Sequence, residues 1–123
     1  MRDFRWAGGA WGSSRSSPRD QARFFFRIER LLPRRHRSYG MHLLADIVGP
    51  QRWGVGRVKH KGWRLFFKGG WGSGSGAVDH QVALLRKGKK RVALAVFTDG
   101  NPSQAYGNQT LRGTARRLLV GLP

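Results

Sequence analysis

Lys68 stands where an aromatic, apolar stretch (Trp63, Leu65, Phe66, Phe67, interrupted by Arg64) gives way to five closely spaced glycines, Gly69, Gly70, Gly72, Gly74 and Gly76. Glycine is used where backbone must take φ > 0 or let another group approach closely. A lone ammonium at a strand end, beside bare backbone N–H groups, is suited to seating an anion. The same residues suit a glycine-rich hairpin loop with an incidental surface lysine, and the stretch by itself leaves both readings open. Asp79 and His80 follow on the next extended segment, where a single histidine more often serves packing than chemistry.

Other chemistry finds little footing. The four histidines, His36, His42, His60 and His80, share no metal-ligand spacing with one another or with acids, so neither a metal nor a cofactor is expected. The glycines at 69–74 are no phosphate loop, because no Gly-Lys-Ser/Thr opens a helix there.

The elements that must position Lys68 follow from the hydrophobic pattern. Residues 1–16 read as irregular, with a short extended piece at 4–6. Ser17-Pro18-Arg19-Asp20 is a helix start, with Ser at the N-cap, Pro in the first turn and Asp placed to cap back. Ala22, Phe25, Phe26, Ile28 and Leu32 continue an apolar stripe until Pro33. A second helix is expected over 34–48, with Tyr39, Leu43, Leu44 and Ile47 on one face and Gly49-Pro50 as its stop. Its basic start, Arg34-Arg35-His36-Arg37, opposes the helix dipole, which fits either a nearby anion or a solvated face.

A connector at 51–61 keeps Trp53 and Val55 half-buried and bends at Gly54 and Gly56. Three antiparallel strands follow, at 63–68, 77–85 and 91–97. The second alternates Val78, His80, Val82 and Leu84. The turn Arg86-Lys87-Gly88-Lys89-Lys90 joins it to the third, whose nearly continuous apolar run predicts a central strand with both faces covered. A closing helix over 104–119 turns Leu111, Ala115, Leu118 and Leu119 to the sheet. The fold class is α+β: two helices, three antiparallel strands and a C-terminal helix on the sheet. Residues 1–60 form the irregular start and helical part and 61–123 the strand–strand–strand–helix part of a single domain.

Length and composition set the bounds. A chain of 123 residues is one domain at most, and without cysteine it has neither disulfides nor thiolate metal sites. No apolar run approaches the roughly 20 residues of a transmembrane helix, and the first residues show no signal-peptide apolar region. The net charge is +18, which suggests an acidic partner such as nucleic acid. The charge is spread, however: 14 cations against 4 acids up to Lys61, and 10 against 2 beyond it. Nucleic acid is therefore the secondary expectation, with aromatics interleaved among cations as stacking platforms.

Taken together, the order strand, Lys68-Gly69-Gly70, glycine loop, Val78-Asp79-His80-Gln81-Val82, hairpin, Val92-Ala93-Leu94-Ala95-Val96-Phe97 and closing helix resembles the C-terminal portion of serine β-lactamase-like hydrolases, the class A β-lactamases and penicillin-recognising enzymes. Ser17-Pro18-Arg19-Asp20-Gln21-Ala22-Arg23-Phe24 resembles that family's Thr-x-x-Asp-x-Ala-x-Leu helix start. Arg52-Trp53-Gly54-Val55-Gly56 is similar to the segment leading into its active-site strand. The resemblance runs over residues 13–122.

What it implies is specific. Lys68 would match the lysine of the family's Lys-(Thr/Ser)-Gly motif, which recognises the substrate's carboxylate and supports proton movement at the nucleophile. A buried ammonium near other cations would have the lowered pKa such roles require. Gly69 stands where the family has a hydroxyl residue, Gly70 keeps the backbone open, and the Trp71 N–H would complete the oxyanion hole. Lys68 and Trp71 are thus the expected catalytic positions, and Lys68, Gly69, Gly70 and Trp71 the substrate-binding ones. The implied substrates of an intact, extracytoplasmic parent are β-lactams, peptidoglycan peptides or related amides and esters. Asp79 and His80 receive no role.

The departures are as specific. None of Ser13, Ser14, Ser16, Ser17, Ser38, Ser73, Ser75 and Ser103 has a lysine three residues on, so the Ser-x-x-Lys nucleophile pair is absent from the sequence. There is no Ser-Asp-Asn. Glu29-Arg30-Leu31-Leu32-Pro33 lacks the Asn of the deacylating Glu-x-x-Leu-Asn and lies too close to Lys68. The expectation is a C-terminal portion of a longer hydrolase, truncated and inactive alone. The rival is a free-standing basic nucleic-acid-binding protein, which steeply salt-dependent binding to DNA or RNA would favour.

Overall fold

The computed structural model describes residues 1–9, 11–58, 60–72, 74 and 76–122; Ser73 and Ser75 of the glycine loop and Lys59 of the connector lie outside them. Helix α1 runs Pro18–Leu31. The Oγ of Ser17 accepts the Asp20 N–H at 3.2 Å, and Pro18, having no N–H to satisfy, opens the first turn. Asp20 binds the chain start: its Oδ2 accepts the Asp3 N–H at 2.8 Å and the residue is buried. Ser17 Oγ also donates to Asp3 Oδ2 at 2.6 Å. Arg5 and Arg15 exchange two backbone hydrogen bonds of 2.8 and 2.9 Å, a bridge at the extended piece expected near residue 5.

Helix α2 spans Arg34–Ala45, three residues short of the expected end. Asp46 and the β-branched Ile47 and Val48 are weak helix formers ahead of Gly49-Pro50, where the chain enters a 3-10 turn, Gly49–Gln51. The inward face is also corrected. Tyr39 and Leu43 are exposed, while Met41 is buried with Leu44 and Ala45 packed beside it.

The sheet contains β1 (Arg64–Gly72), β2 (Val78–Lys87) and β3 (Lys90–Thr98), all antiparallel in the order β1-β2-β3. The third strand was expected at the centre, yet among the described residues β2 is central and β3 lies at an edge. Its apolar run has another cause: α1 packs on one of its faces and α3 (Gln104–Leu118) on the other. Coverage of faces and possession of neighbours are separate properties of a strand.

Two cores result. On the α1–α2 side, Phe25, Ile28 and Met41 meet Phe66 and Leu84. On the α3 side, Leu65, Phe67, Ala83 and Leu85 pack with Val55, Val58, Ala115 and Leu119. Phe66, Phe67, Leu84 and Leu85 are at most 1% exposed, so truncating any one to Ala costs about 2–5 kcal/mol. Helix α3 is capped by Ser103, whose Oγ accepts the Tyr106 N–H at 3.1 Å. Leu111, Ala115 and Leu119 face inward as expected, but Leu118 points to solvent, as does Phe26 on α1.

Candidate functional site

Strand alternation sorts the four candidate residues onto two faces. Lys68 pairs with Val82 and Gly70 with His80, and His80 in turn pairs with Phe97; these side chains share the α1–α2 face. There Gln21, Lys68, Gly70, His80, Val82 and Phe97 border an open depression of about 180 Å³. Lys68 is exposed rather than buried, and its Nζ donates to the Gly69 carbonyl. Lys68 was expected at the end of its strand, yet it is the fifth of the nine residues of β1, which continues through 69–72 on a strand with only one strand neighbour among the described residues. At Gly70 an added Cβ would meet nothing within 4 Å, so the strand presents bare backbone beside the ammonium.

His80 stacks on Phe97 with ring centroids 4.3 Å apart and planes 20° apart. Its Nδ1 is buried without a hydrogen-bond partner among the described residues. No serine borders the depression among the described residues.

Gly69 and Trp71 face the other way, toward the connector. A Cβ at Gly69 would lie 2.8 and 2.9 Å from ring atoms of Trp53, inside any real contact distance. The indole of Trp53 thus occupies the space that a hydroxyl side chain at position 69 would need. Trp71 meets Trp53 edge to face, centroids 6.0 Å apart and planes at 80°, and remains half exposed. Among the described residues β1 has a strand neighbour on one side only, so its outer edge keeps backbone N–H groups without strand partners.

Trp53 is held by a side chain that sequence reasoning passed over. Gln81, 4% exposed, accepts the Val55 N–H at 2.7 Å on Oε1 and donates to the Trp53 carbonyl at 2.8 Å from Nε2. It satisfies a loop's backbone as a neighbouring strand would. Gly54 between them takes φ +56°, and a Cβ there would lie 2.0 Å from Gln81 Oε1, so the approach demands glycine. Alternation Val78-His80-Val82-Leu84 pointed to one inner face; both faces are covered, and the polar residues lie on the deeper one.

Asp79 is the second polar residue on that face. It is 2% exposed beside Gly107 of α3, and burial raises its pKa, partly offset by the nearby charge of His80. Its backbone carbonyl accepts from Thr98 Oγ1 at 2.7 Å, while Asn101 Nδ2 donates to Ala77 O at 2.8 Å and Thr98 Oγ1 at 2.9 Å. With the Gly100 N–H to Gly76 O bond of 2.8 Å, this network fastens the β3–α3 turn to the end of the glycine loop.

A sequence model of the family described as "Beta-lactamase enzyme family" matches residues 5–120. Among solved structures, the chain superposes on the chromosome-encoded beta-lactamase of Vibrio parahaemolyticus with a TM-score of 0.74 and 15% identity, covering 91% of this chain and 43% of that one. The class A beta-lactamase from Mycobacterium abscessus gives a TM-score of 0.69 at 18% identity, over 85% of this chain and 40% of that one. PBP-A gives 0.63 at 19%, over 85% and 38%. At these identities the likeness is one of fold, and the chain spans about two-fifths of the length of these proteins. No curated protein matches the chain.

Proposed function

The chain belongs to the beta-lactamase enzyme family, and on that premise we propose that residues 68–71 are the substrate-facing strand of an acyl-transfer site for β-lactams, peptidoglycan peptides or related amides and esters. The observation that carries this reading is the juxtaposition of an exposed ammonium and a side-chain-free Gly70 at one depression, on a strand that has one strand neighbour among the described residues. Lys68 binds the substrate's carboxylate. Gly70 lets the substrate lie against the backbone, and the Trp71 N–H donates to the carbonyl oxygen as it gains charge. Such a donor accelerates acyl transfer by about 10²–10³-fold when fixed in advance. Trp53 fills, on the opposite face of β1, the space that a side chain at position 69 would need, so the carboxylate is held by Lys68 without a hydroxyl from that position.

The sequence has no Ser-x-x-Lys pair. The chain by itself therefore binds without turning over, with 1–60 as the helical and 61–123 as the sheet part of a larger catalytic domain. Neither the family nor the fold supports the nucleic-acid alternative. Amide-resolved titration of the chain with benzylpenicillin tests the reading. Perturbations centred on Gly69, Gly70, Trp71 and His80, with no covalent adduct by intact mass and no cleavage of a chromogenic cephalosporin, are expected. Perturbations confined to other surfaces, or an adduct on any serine, would overturn it.

A further inference from the structure

One end of the α1–α2 face, at the first residue of β1 and about 13 Å along that strand from Lys68, has a different chemistry. Arg64, Arg86 and Arg91 stand side by side across the three strands, since Arg64 pairs with Arg86 and Arg86 with Arg91. Like charges directly opposite one another destabilise a sheet unless something neutralises them. Glu29 of α1 answers part of this, binding Arg86 through Oε1 and Arg91 through Oε2 at 2.8 Å. Arg64 has no carboxylate partner among the described residues.

Facing this row is the start of α2, which has no acid in its first turn and no side-chain cap. Arg34 and Arg35 likewise lack a carboxylate among the described residues. Arg37 donates to the Leu32 carbonyl at 3.3 Å and keeps a buried Nε without a partner. The sheet and the helix enclose an open cleft of about 790 Å³ lined by five arginines, Arg34, Arg35, Arg37, Arg64 and Arg86, against the one carboxylate of Glu29.

We propose that this cleft binds a small ligand carrying two or more phosphate groups. Concave surfaces of one charge sign focus the field and concentrate counter-ions. Guanidinium forks match phosphate oxygens two at a time, and five of them exceed what a single phosphate can engage. The cleft's volume lies in the range of small-molecule sites rather than of a lone ion. Two of the forks are oriented in advance, the guanidiniums of Arg64 and Arg86 lying 5.0 and 6.0 Å from the centroid of the buried Phe66 ring. The inference is independent of the catalytic reading, because none of residues 68–71 takes part.

The test is titration of the full chain with inorganic tripolyphosphate at physiological salt, by calorimetry, comparing the double variant Arg35→Gln/Arg64→Gln with Arg112→Gln/Arg116→Gln. The second pair removes the same charge from the exposed face of α3. Expected is a loss of about tenfold or more for the cleft variant and less than about twofold for the α3 variant, with orthophosphate binding at least about tenfold more weakly than tripolyphosphate. Should the cleft variant fail to fold, Arg35→Lys/Arg64→Lys decides, since lysine keeps the charge and loses the fork; a loss of about threefold or more supports the site. Equal losses in both Gln pairs, unchanged affinity in the Lys variant, or binding of single-stranded RNA but not of tripolyphosphate would overturn it.

Discussion

The two faces of β2 differ in kind. Toward α3, Asp79, Gln81, Ala83 and Leu85 are all at most 4% exposed, and the two polar members are tied to neighbouring segments. Toward α1 and α2, His80 and Val82 are only half covered, and the neighbouring strand offers Lys68 and bare Gly70. At the 79–82 end of β2 one face immobilises the strands and the other leaves them accessible, while farther along Leu84 is buried on the α1–α2 side as well. A site needs both, since a rigid backbone places the ammonium and amides while an open surface admits the substrate. The difference is testable by changing matched residues on the two faces.

The largest effect is expected at Gln81. Gln81→Leu leaves the Val55 N–H and the Trp53 carbonyl without their partner, and each buried group so stranded costs about 1–3 kcal/mol. Chemical denaturation should register a loss of about 3 kcal/mol, against under about 1 kcal/mol for His80→Ala on the open face. Similar losses at both positions would remove the distinction.

Next comes the pair of adjacent glycines. Gly69→Thr drives a side chain into Trp53 and should cost about 1–3 kcal/mol, visible as a lower denaturation midpoint and altered indole fluorescence. Gly70→Ala meets open space and should stay within about 0.5 kcal/mol of wild type. The reverse order would mean that the faces are assigned wrongly.

Asp79 sharpens the comparison through pH. Its folded-state pKa lies above the ordinary value of 3.8, so in the interval between the two the folded chain holds the proton more tightly than the unfolded one. Stability from this group is full below about pH 4 and is lost as pH rises through the shifted value. Asp79→Asn lacks that loss. Its stability relative to wild type should therefore climb between pH 4 and pH 7, by a smaller margin than the Gln81 effect. A difference that stays flat across this range would contradict a buried, desolvated carboxylate.

Much of this was legible before the structure. Although α2 ended at Ala45, ahead of Gly49-Pro50, and β1 ran on through 69–72, beyond its apolar run, Ser17-Pro18 marked the start of α1 and the strands lay at the alternating and apolar runs. Local patterns reported those features because each depends on near neighbours. What escaped depends on distant ones. A glutamine in a strand reads as solvent-facing until the loop at 53–55 is folded beneath it, and Gly69 reads as a loop glycine until Trp53 is seen against it. Lys68 reads as the residue that ends its strand, yet β1 continues through 69–72 and places it mid-strand, and its side chain is exposed where a buried ammonium was expected. Asp20 was seen as a cap and not as the anchor of residue 3, a contact across 17 positions.

The most direct measurement of the central claim compares Lys68→Ala with Lys89→Ala, which removes the same charge from the exposed β2–β3 turn. Both are titrated with benzylpenicillin while the Gly70 and Trp71 amides are followed. The account predicts that Lys68→Ala weakens binding by about tenfold or more, since a charge-assisted contact is lost, and that Lys89→Ala changes it by less than about twofold. Equal, small effects from the two substitutions would mean that Lys68 is one surface cation among 24, and the strand at 68–71 would not be the site.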